Sequence, residues 1–409
     1  MNKYFISIIA AVIYMQAGAQ KIAQWRGENR DGIYNETGLL KKWTEGGPGL
    51  LWHFDDLGDG HSSVAVYDST IYTAGTIDKK GFVFAFDYSG KLLWKTEYGV
   101  EWTENWSGTR STPVIDQNKL YILSAFGKLV CMNAKSGQIE WIIDLLKDYD
   151  GQNIMWGITE NLLIDQNTLY CTPGGIEDNV IALDKNSGKM KWKSKGSGEK
   201  SAYCSPALIK LEHKNILVTM TENSILGVDA SNGTFLWKYE HKGKYQIHPN
   251  TPLYHNGKIY CVSGYAKGGV MLNLSPDGNS ITEAWQDSML DCRMGGVVLI
   301  NDHIYGLGDK HRNLYCLNWQ TGKVDYSANF MAPGNLIAAE GLLYCYSESG
   351  TVGLVEPKAN EFELISSFKV PFGANQHWAH LVIHDKKLFV RHGTSLMVYD
   401  IGEKQGQAK

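Results

Sequence analysis

The sequence predicts an all-β protein: an eight-bladed β-propeller of four-stranded antiparallel blades, the ring closed by an N-terminal strand that completes the last blade. Three observations carry this reading. A glycine-to-aromatic spacing recurs along the chain, a second aromatic ladder shares its period, and the two ends of the array complement each other. Composition agrees. The 409 residues are 43% hydrophobic and only 20% charged, with 13 Trp and 22 Tyr, which excludes a disordered chain and suits half-buried strands. Lys and Arg total 39 against 43 Asp and Glu, with no basic run, so a nucleic-acid partner is excluded, because its phosphates need neutralising.

The chain opens with an export signal. Met1-Asn2-Lys3 is a short basic start, Tyr4 to Met15 is apolar, and Ala17-Gly18-Ala19 supplies a small-x-small cleavage pattern. Residues 1–19 are therefore expected to be removed, leaving a periplasmic or extracellular protein. The apolar run is too short to cross a bilayer of ~30 Å, and no later stretch qualifies as a transmembrane segment. No cysteine adjoins the cleavage site, so the sequence is not that of a lipoprotein. Residues 20–49 form an N-terminal extension, 50–402 the propeller and 403–409 a C-terminal tail. Seven cysteines, none adjacent and none in Cys-x-x-Cys, sit in strand-like runs such as Leu314-Tyr315-Cys316. They read as small buried hydrophobes, and no zinc motif or other metal site is spelled.

The repeat follows. Gly90 leads to Trp94, Gly137 to Trp141, Gly188 to Trp192, Gly233 to Trp237 and Gly322 to Tyr326, the aromatic always four residues beyond the glycine. Gly278 to Trp285 is the same unit with an insertion, and Trp52 and Phe368 are degenerate copies. The mean spacing is about 45 residues, as for a propeller blade. Tyr72, Tyr121, Tyr170, Tyr260, Tyr305, Tyr344 and Phe389 form the second ladder, with Val218 in the remaining place. Within one unit, Ser111–Asp116, Lys119–Ser124, Lys128–Asn133 and Gln138–Ile143 read as four strands joined by Gly, Asn and Asp turns. The glycine permits a positive φ in the turn, and Trp52, Trp94, Trp141, Trp192, Trp237, Trp285 and Tyr326 are expected to pack against the neighbouring blade. The last unit lacks a fourth strand, and Leu50-Leu51-Trp52-His53 is an orphan one. Pairing them closes the ring and removes its exposed edges.

Ile181-Ala182-Leu183-Asp184 through Trp192, repeated in kind along the chain, resembles the repeat of the PQQ-like (pyrroloquinoline-quinone-like) β-propeller family. Trp25-Arg26-Gly27-Glu28-Asn29-Arg30-Asp31-Gly32 and the Trp43 to Pro48 segment resemble the opening of a secreted bacterial branch. The resemblance spans roughly Trp25 to Asp400. It implies one of two activities: a quinoprotein dehydrogenase of alcohols or sugars holding quinone and calcium on the axis, or a cofactor-free binding scaffold similar to the propeller lipoprotein of the outer-membrane barrel-assembly machine. The dehydrogenases often carry a disulfide between adjacent cysteines, which this sequence lacks, and no calcium-ligand motif is matched. The reading is therefore a non-catalytic module for a protein or glycan-like ligand, with no cofactor supported and the quinone enzyme as the alternative. Oligomeric state is left open.

The connections entering each innermost strand should cluster around a central funnel. They are the richest in polar and aromatic residues: Trp106, Arg110, Trp156, Glu160, Tyr203, His248, Asn250, Arg293, His377 and Trp378 are the candidate ligand-binding residues. Arg110 and Arg293 suit a carboxylate or phosphate through forked hydrogen bonds. Glu160 is the only nominated catalytic base. Two long connections, Tyr98 to Arg110 and Leu145 to Thr159, carry tryptophans to this rim. Odd spacing on an extended chain points His377 and His380 apart, against a shared metal. Asp55 to Gly60 lacks the spacing of a calcium loop, and Gly196 to Ser201 lacks the context of a phosphate loop.

Overall fold

The computed structural model describes residues 22–404, so the signal segment expected over 1–19 lies outside the described residues. Eight antiparallel four-stranded sheets form the blades of one propeller. Blade 1 comprises Ala65–Tyr67, Thr70–Ile77, Lys80–Asp87 and Leu92–Val100, and blade 2 Val114–Asp116, Lys119–Leu123, Lys128–Asn133 and Ile139–Asp144. Blades 3 to 7 follow in chain order from Leu163 to Lys369. Blade 8 takes Val382–His384, Lys387–His392 and Ser395–Asp400 from the C-terminus and Gly49–Phe54 from the N-terminus, pairing Trp52 with Val398. The expected closure is the observed one. The first strands are shorter than the sequence suggests: only three residues of Ser111–Asp116 pair as a strand, and Thr112 is tied instead to neighbouring blades, its N–H donating to Asn161 Oδ1 and its hydroxyl accepting from the Ser63 N–H.

Second and third strands of each blade are buried on both faces between neighbouring blades, so they read as near-continuous apolar runs. Fourth strands largely alternate half-buried and exposed positions, as in Leu92–Val100. In every blade the outer pair carries a β-bulge beside the docking position, which is filled by Trp94, Trp141, Trp192, Trp237, Trp285, Tyr326, Ser366 and Trp52 in turn. Blade 7 thus departs from expectation. Ser366 occupies the register and Phe368 lies two residues further along.

The docking residues reach the next blade. Trp52, Trp94, Trp141, Trp192 and Trp237 donate their indole N–H to Tyr88, Ala134, Asn186, Ala230 and Gly278 carbonyls there. The turn glycine serves twice. Gly137, with φ near +71°, lies under Trp94, and an added Cβ would meet the ring at 2.6 Å. The sequence pairs Gly137 with Trp141 of its own blade, but its contact is with the preceding blade's Trp94. All seven cysteines are free and buried.

The N-terminal extension is the feature that no repeat announces. Ile22–Ala23 adds antiparallel to the first strand of blade 2, and Ile33–Tyr34 adds parallel to Gly334–Ala339 of blade 7. The segment between them crosses the propeller axis. Buried Arg26 donates to the Val297 carbonyl at 2.6 Å and the Leu336 carbonyl at 3.3 Å, in blades 6 and 7. Arg30 donates to the Asn161 and Leu162 carbonyls of blade 3 at 2.7 and 2.8 Å. Both guanidiniums are desolvated, which lowers the Arg30 pKa to about 10.

Candidate functional site

The crossing segment makes a floor, and the connections entering the inner strands make walls around it. The result is a funnel of about 540 Å³, within the range that encloses a small ligand or a few side chains. Trp25 forms the floor beside His380, their rings 4.8 Å apart. A continuous arc of rings lines the wall. Tyr265 meets Tyr245 at 4.7 Å, Tyr245 meets Trp156 at 5.9 Å, and Trp156 meets Trp106 edge-on at 5.4 Å. Trp106 then approaches Trp378 at 6.1 Å, and Trp378 approaches His61 at 4.9 Å.

The two long connections are held by Arg110. Its guanidinium donates to the backbone carbonyls of Trp156 and Trp106, stapling both tryptophans over the funnel. No carboxylate lies within ion-pair distance of Arg110 among the described residues, and burial lowers its pKa. Trp106 and Tyr203 adopt φ of 55° and 67°, a left-handed backbone that bulky residues rarely take, and such positions cluster at ligand clamps. Arg293 differs. Its fork is filled by Asp309 at 2.8 Å and Glu348 at 2.7 Å, so it is not free to hold a ligand anion as the sequence suggests. Glu348 also accepts the Trp378 indole N–H at 2.9 Å, fixing that ring.

Of the expected site residues, Trp106, Arg110, Trp156, Tyr203, Arg293 and Trp378 come together in the funnel. Four do not. Glu160 turns behind the wall and accepts the Thr172 N–H at 2.9 Å, and burial pushes its pKa up to about 8. His248 lies within hydrogen-bonding distance of Ser263 Oγ (2.6 Å) and the Glu222 carbonyl (3.2 Å). Asn250 donates to the Val262 and Cys292 carbonyls at 3.0 and 2.7 Å. His377 stacks on His392 at 3.6 Å and meets the Tyr346 hydroxyl at 2.7 Å. Each side chain is engaged in ties within or between blades, although Asn250 Oδ1 is buried without a partner among the described residues.

Sequence reasoning missed Trp25, Tyr245, Tyr265 and Glu348. Trp25 lies before the repeat, and the tyrosines sit in connections whose course the period does not fix. His61 and Thr159, which begin two of the connections entering innermost strands, are likewise absent from the expected set. Among the described residues, both His61 nitrogens, Thr159 Oγ1 and the Tyr203 hydroxyl are buried without a hydrogen-bond partner, while all three residues line the funnel. Desolvation, reinforced by Arg110 and Arg391, holds His61 neutral. Unpaired buried polar groups are costly, and here they converge where a ligand would satisfy them.

The donor set does not fit calcium. That ion takes six to eight oxygen ligands, several of them carboxylates. Glu348 is the only carboxylate among the lining residues, and it is engaged by Arg293 and Trp378.

Comparisons with known proteins agree with this architecture. The sequence model of a family of PQQ-like propellers, described as outer membrane protein assembly factor BamB, matches residues 79–328, more than half of the chain. Outer membrane protein assembly factor BamB of Yersinia pestis is 22% identical over 293 residues, which are 67% of this chain and 66% of that protein. The chain thus spans just under two thirds of this relative. The crystal structure of BamB from Moraxella catarrhalis superposes with a TM-score of 0.61 at 14% identity, over 86% of this chain and 99% of that one. Quinohemoprotein alcohol dehydrogenase ADHIIG from Pseudomonas putida HK5 gives 0.61 at 13% identity, over 92% and 79%. These two likenesses are of fold.

Proposed function

The chain belongs to the PQQ-like β-propeller family, and we propose that it is an exported, non-catalytic binding module that takes a segment of a protein partner in its central funnel. The observation that carries this reading is the arc of rings from Tyr265 to His61, open to solvent and held by Arg110 and Glu348. A rigid aromatic wall binds apolar and aromatic side chains at little cost in ordering. The rim extends it: Trp106 is 42% exposed and Met155 65%, an apolar surface suited to a macromolecule rather than a buried cofactor. The name of the matched family, an assembly factor for outer-membrane proteins, supports a protein ligand.

A glycan-like ligand is the second reading, favoured by the unpaired His61, Thr159 and Tyr203 beside ring faces. These are neutral groups of the kind that bind sugar hydroxyls. One titration separates the two. Intrinsic tryptophan fluorescence of the full mature chain is followed with extended apolar-aromatic peptides and with neutral oligosaccharides. Saturable binding of the peptides, weakened roughly tenfold or more in Trp106→Ala, is expected. Saturation by sugars alone, lost in Tyr203→Phe, would install the second reading. Binding of neither class, with dye-linked oxidation of alcohols or sugars on adding quinone and calcium, would replace both with the dehydrogenase.

A further inference from the structure

On blade 6, far from the funnel mouth in the strand order, three donor side chains of different chemistry meet. His303 begins the second strand His303–Leu307, Cys316 lies mid-way along the third strand Leu314–Asn318, and Asp325 belongs to the fourth, Val324–Ala328. One ligand atom of each lies within 4.8 Å of the others. The local fold explains how. Cys316 pairs with Tyr305 on one side and Tyr326 on the other, so strand alternation sets His303 on the same face as the thiol. Asp325 would ordinarily point the other way. It is the extra residue of the β-bulge between Tyr326 and Val324, and the bulge re-aims it.

From this juxtaposition we propose a binding site for a divalent transition metal of the zinc class, held by His303 Nε2, Cys316 Sγ and an Asp325 carboxylate oxygen. His303 Nδ1 lies 2.7 Å from the Asn301 carbonyl, an acceptor only, so Nδ1 carries a proton. That bond fixes the tautomer and leaves Nε2 to ligate, the arrangement that metal-bound histidines use. Nε2 lies 3.2 Å from Asp325 Oδ2. In the neutral imidazole these are two lone-pair donors facing each other, and a cation between them resolves the contact. Ligand atoms around tetrahedral zinc lie about 3.3–3.8 Å apart, so the thiol has only about 1 Å to travel. Imidazole nitrogen, thiolate and carboxylate together favour zinc or cobalt over calcium or magnesium. His303 and Asp325 are about a third exposed, which gives the ion access and leaves a position for water. Binding displaces the Cys316 thiol proton to solvent.

Blade 2 supplies the internal control. The same three positions there are Lys119, Cys131 and Glu140, in the same register and with the same bulge. Lys119 and Glu140 form an ion pair. The lysine brings its own charge and needs no metal.

The test uses the reduced full mature chain and cobalt(II) as the probe. One equivalent is expected to give a thiolate-to-cobalt charge-transfer band that zinc abolishes. Cys316→Ser should lose the band, and His303→Gln and Asp325→Asn should weaken cobalt binding by about tenfold or more. Cys131→Ser should behave as wild type. Because Cys316 is buried in the blade, the more exposed His303 and Asp325 variants carry the test should Cys316→Ser fail to fold. No band in wild type, or unchanged affinity in those two variants, overturns the proposal.

Discussion

Glu160→Gln should remove a large part of a pH-dependent stability loss, leaving the part contributed by buried Glu101, whose pKa is raised to about 7. Glu160 is 2% exposed, accepts the Thr172 N–H, and has its pKa raised from 4.5 to about 8 by burial, against a weaker opposing pull from Arg30. Below about pH 4.5 both folded and unfolded chains hold the proton. Between 4.5 and 8 only the folded chain holds it, so the unfolded state binds fewer protons and stability falls as pH rises. Each pKa unit corresponds to about 1.4 kcal/mol, so the full interval sets a ceiling of roughly 5 kcal/mol, and relaxation around the new charge should leave about 2–4 kcal/mol. Glutamine keeps the acceptor for Thr172 and never ionises. Urea unfolding at pH 5, 7 and 9 should therefore show wild type and variant alike at pH 5 and the variant more stable by that amount at pH 9. A difference that stays constant with pH would refute the argument. So would a variant that weakens relative to wild type as pH rises, because then the carboxylate is ionised and Arg30 depends on it.

Two further outcomes follow from packing. Trp237 is 6% exposed and donates to Gly278 of the next blade at 3.1 Å, so Trp237→Ala should cost about 3–5 kcal/mol in denaturant unfolding; a variant that keeps its stability yet loses ligand would make the residue functional instead. A chain beginning at Gly60 lacks Gly49–Phe54 and should melt cooperatively at a markedly lower temperature, whereas melting like the chain that keeps this strand would mean that it does not latch the ring.

The blades were legible because each unit must satisfy the same local demands. A turn glycine must lie under the neighbouring ring, and an aromatic must follow the bulge, so period and register survive in the residues themselves. The site was half legible for a related reason. The period located the connections that face the axis, hence Trp106, Arg110, Trp156, Tyr203 and Trp378. It does not tell which way a side chain turns at the end of a connection. Glu160 sits between two lining residues, Thr159 and Asn161, and still points behind the wall toward Thr172. Arg293 lines the funnel as expected, but its partners Asp309 and Glu348 come from the turns between the second and third strands of blades 6 and 7, a pairing that only the packing of adjacent blades creates.

The N-terminal crossing answers a problem that every propeller axis poses. The first strand of each blade is an edge whose outward neighbours are paired and whose axial side is not, so its carbonyls face a narrow channel with no strand to donate to them. Ile22–Ala23 and Ile33–Tyr34 pair two of these edges directly. Arg26 and Arg30 serve others by donating to Val297, Leu336, Asn161 and Leu162 carbonyls. Arginine suits the task because its planar fork carries several donors and reaches two carbonyls at once. Neither guanidinium forms an ion pair among the described residues, and both are desolvated, so their role is to satisfy backbone acceptors rather than to neutralise charge. The same segment seals one end of the axis with Trp25. Trp106 and Tyr245 are exposed rings of the funnel lining, so on the proposed reading a ligand passes them. Substitutions at those rings should act on association and release alike, while changes at Arg26 or Arg30 should act first on the stability of the floor.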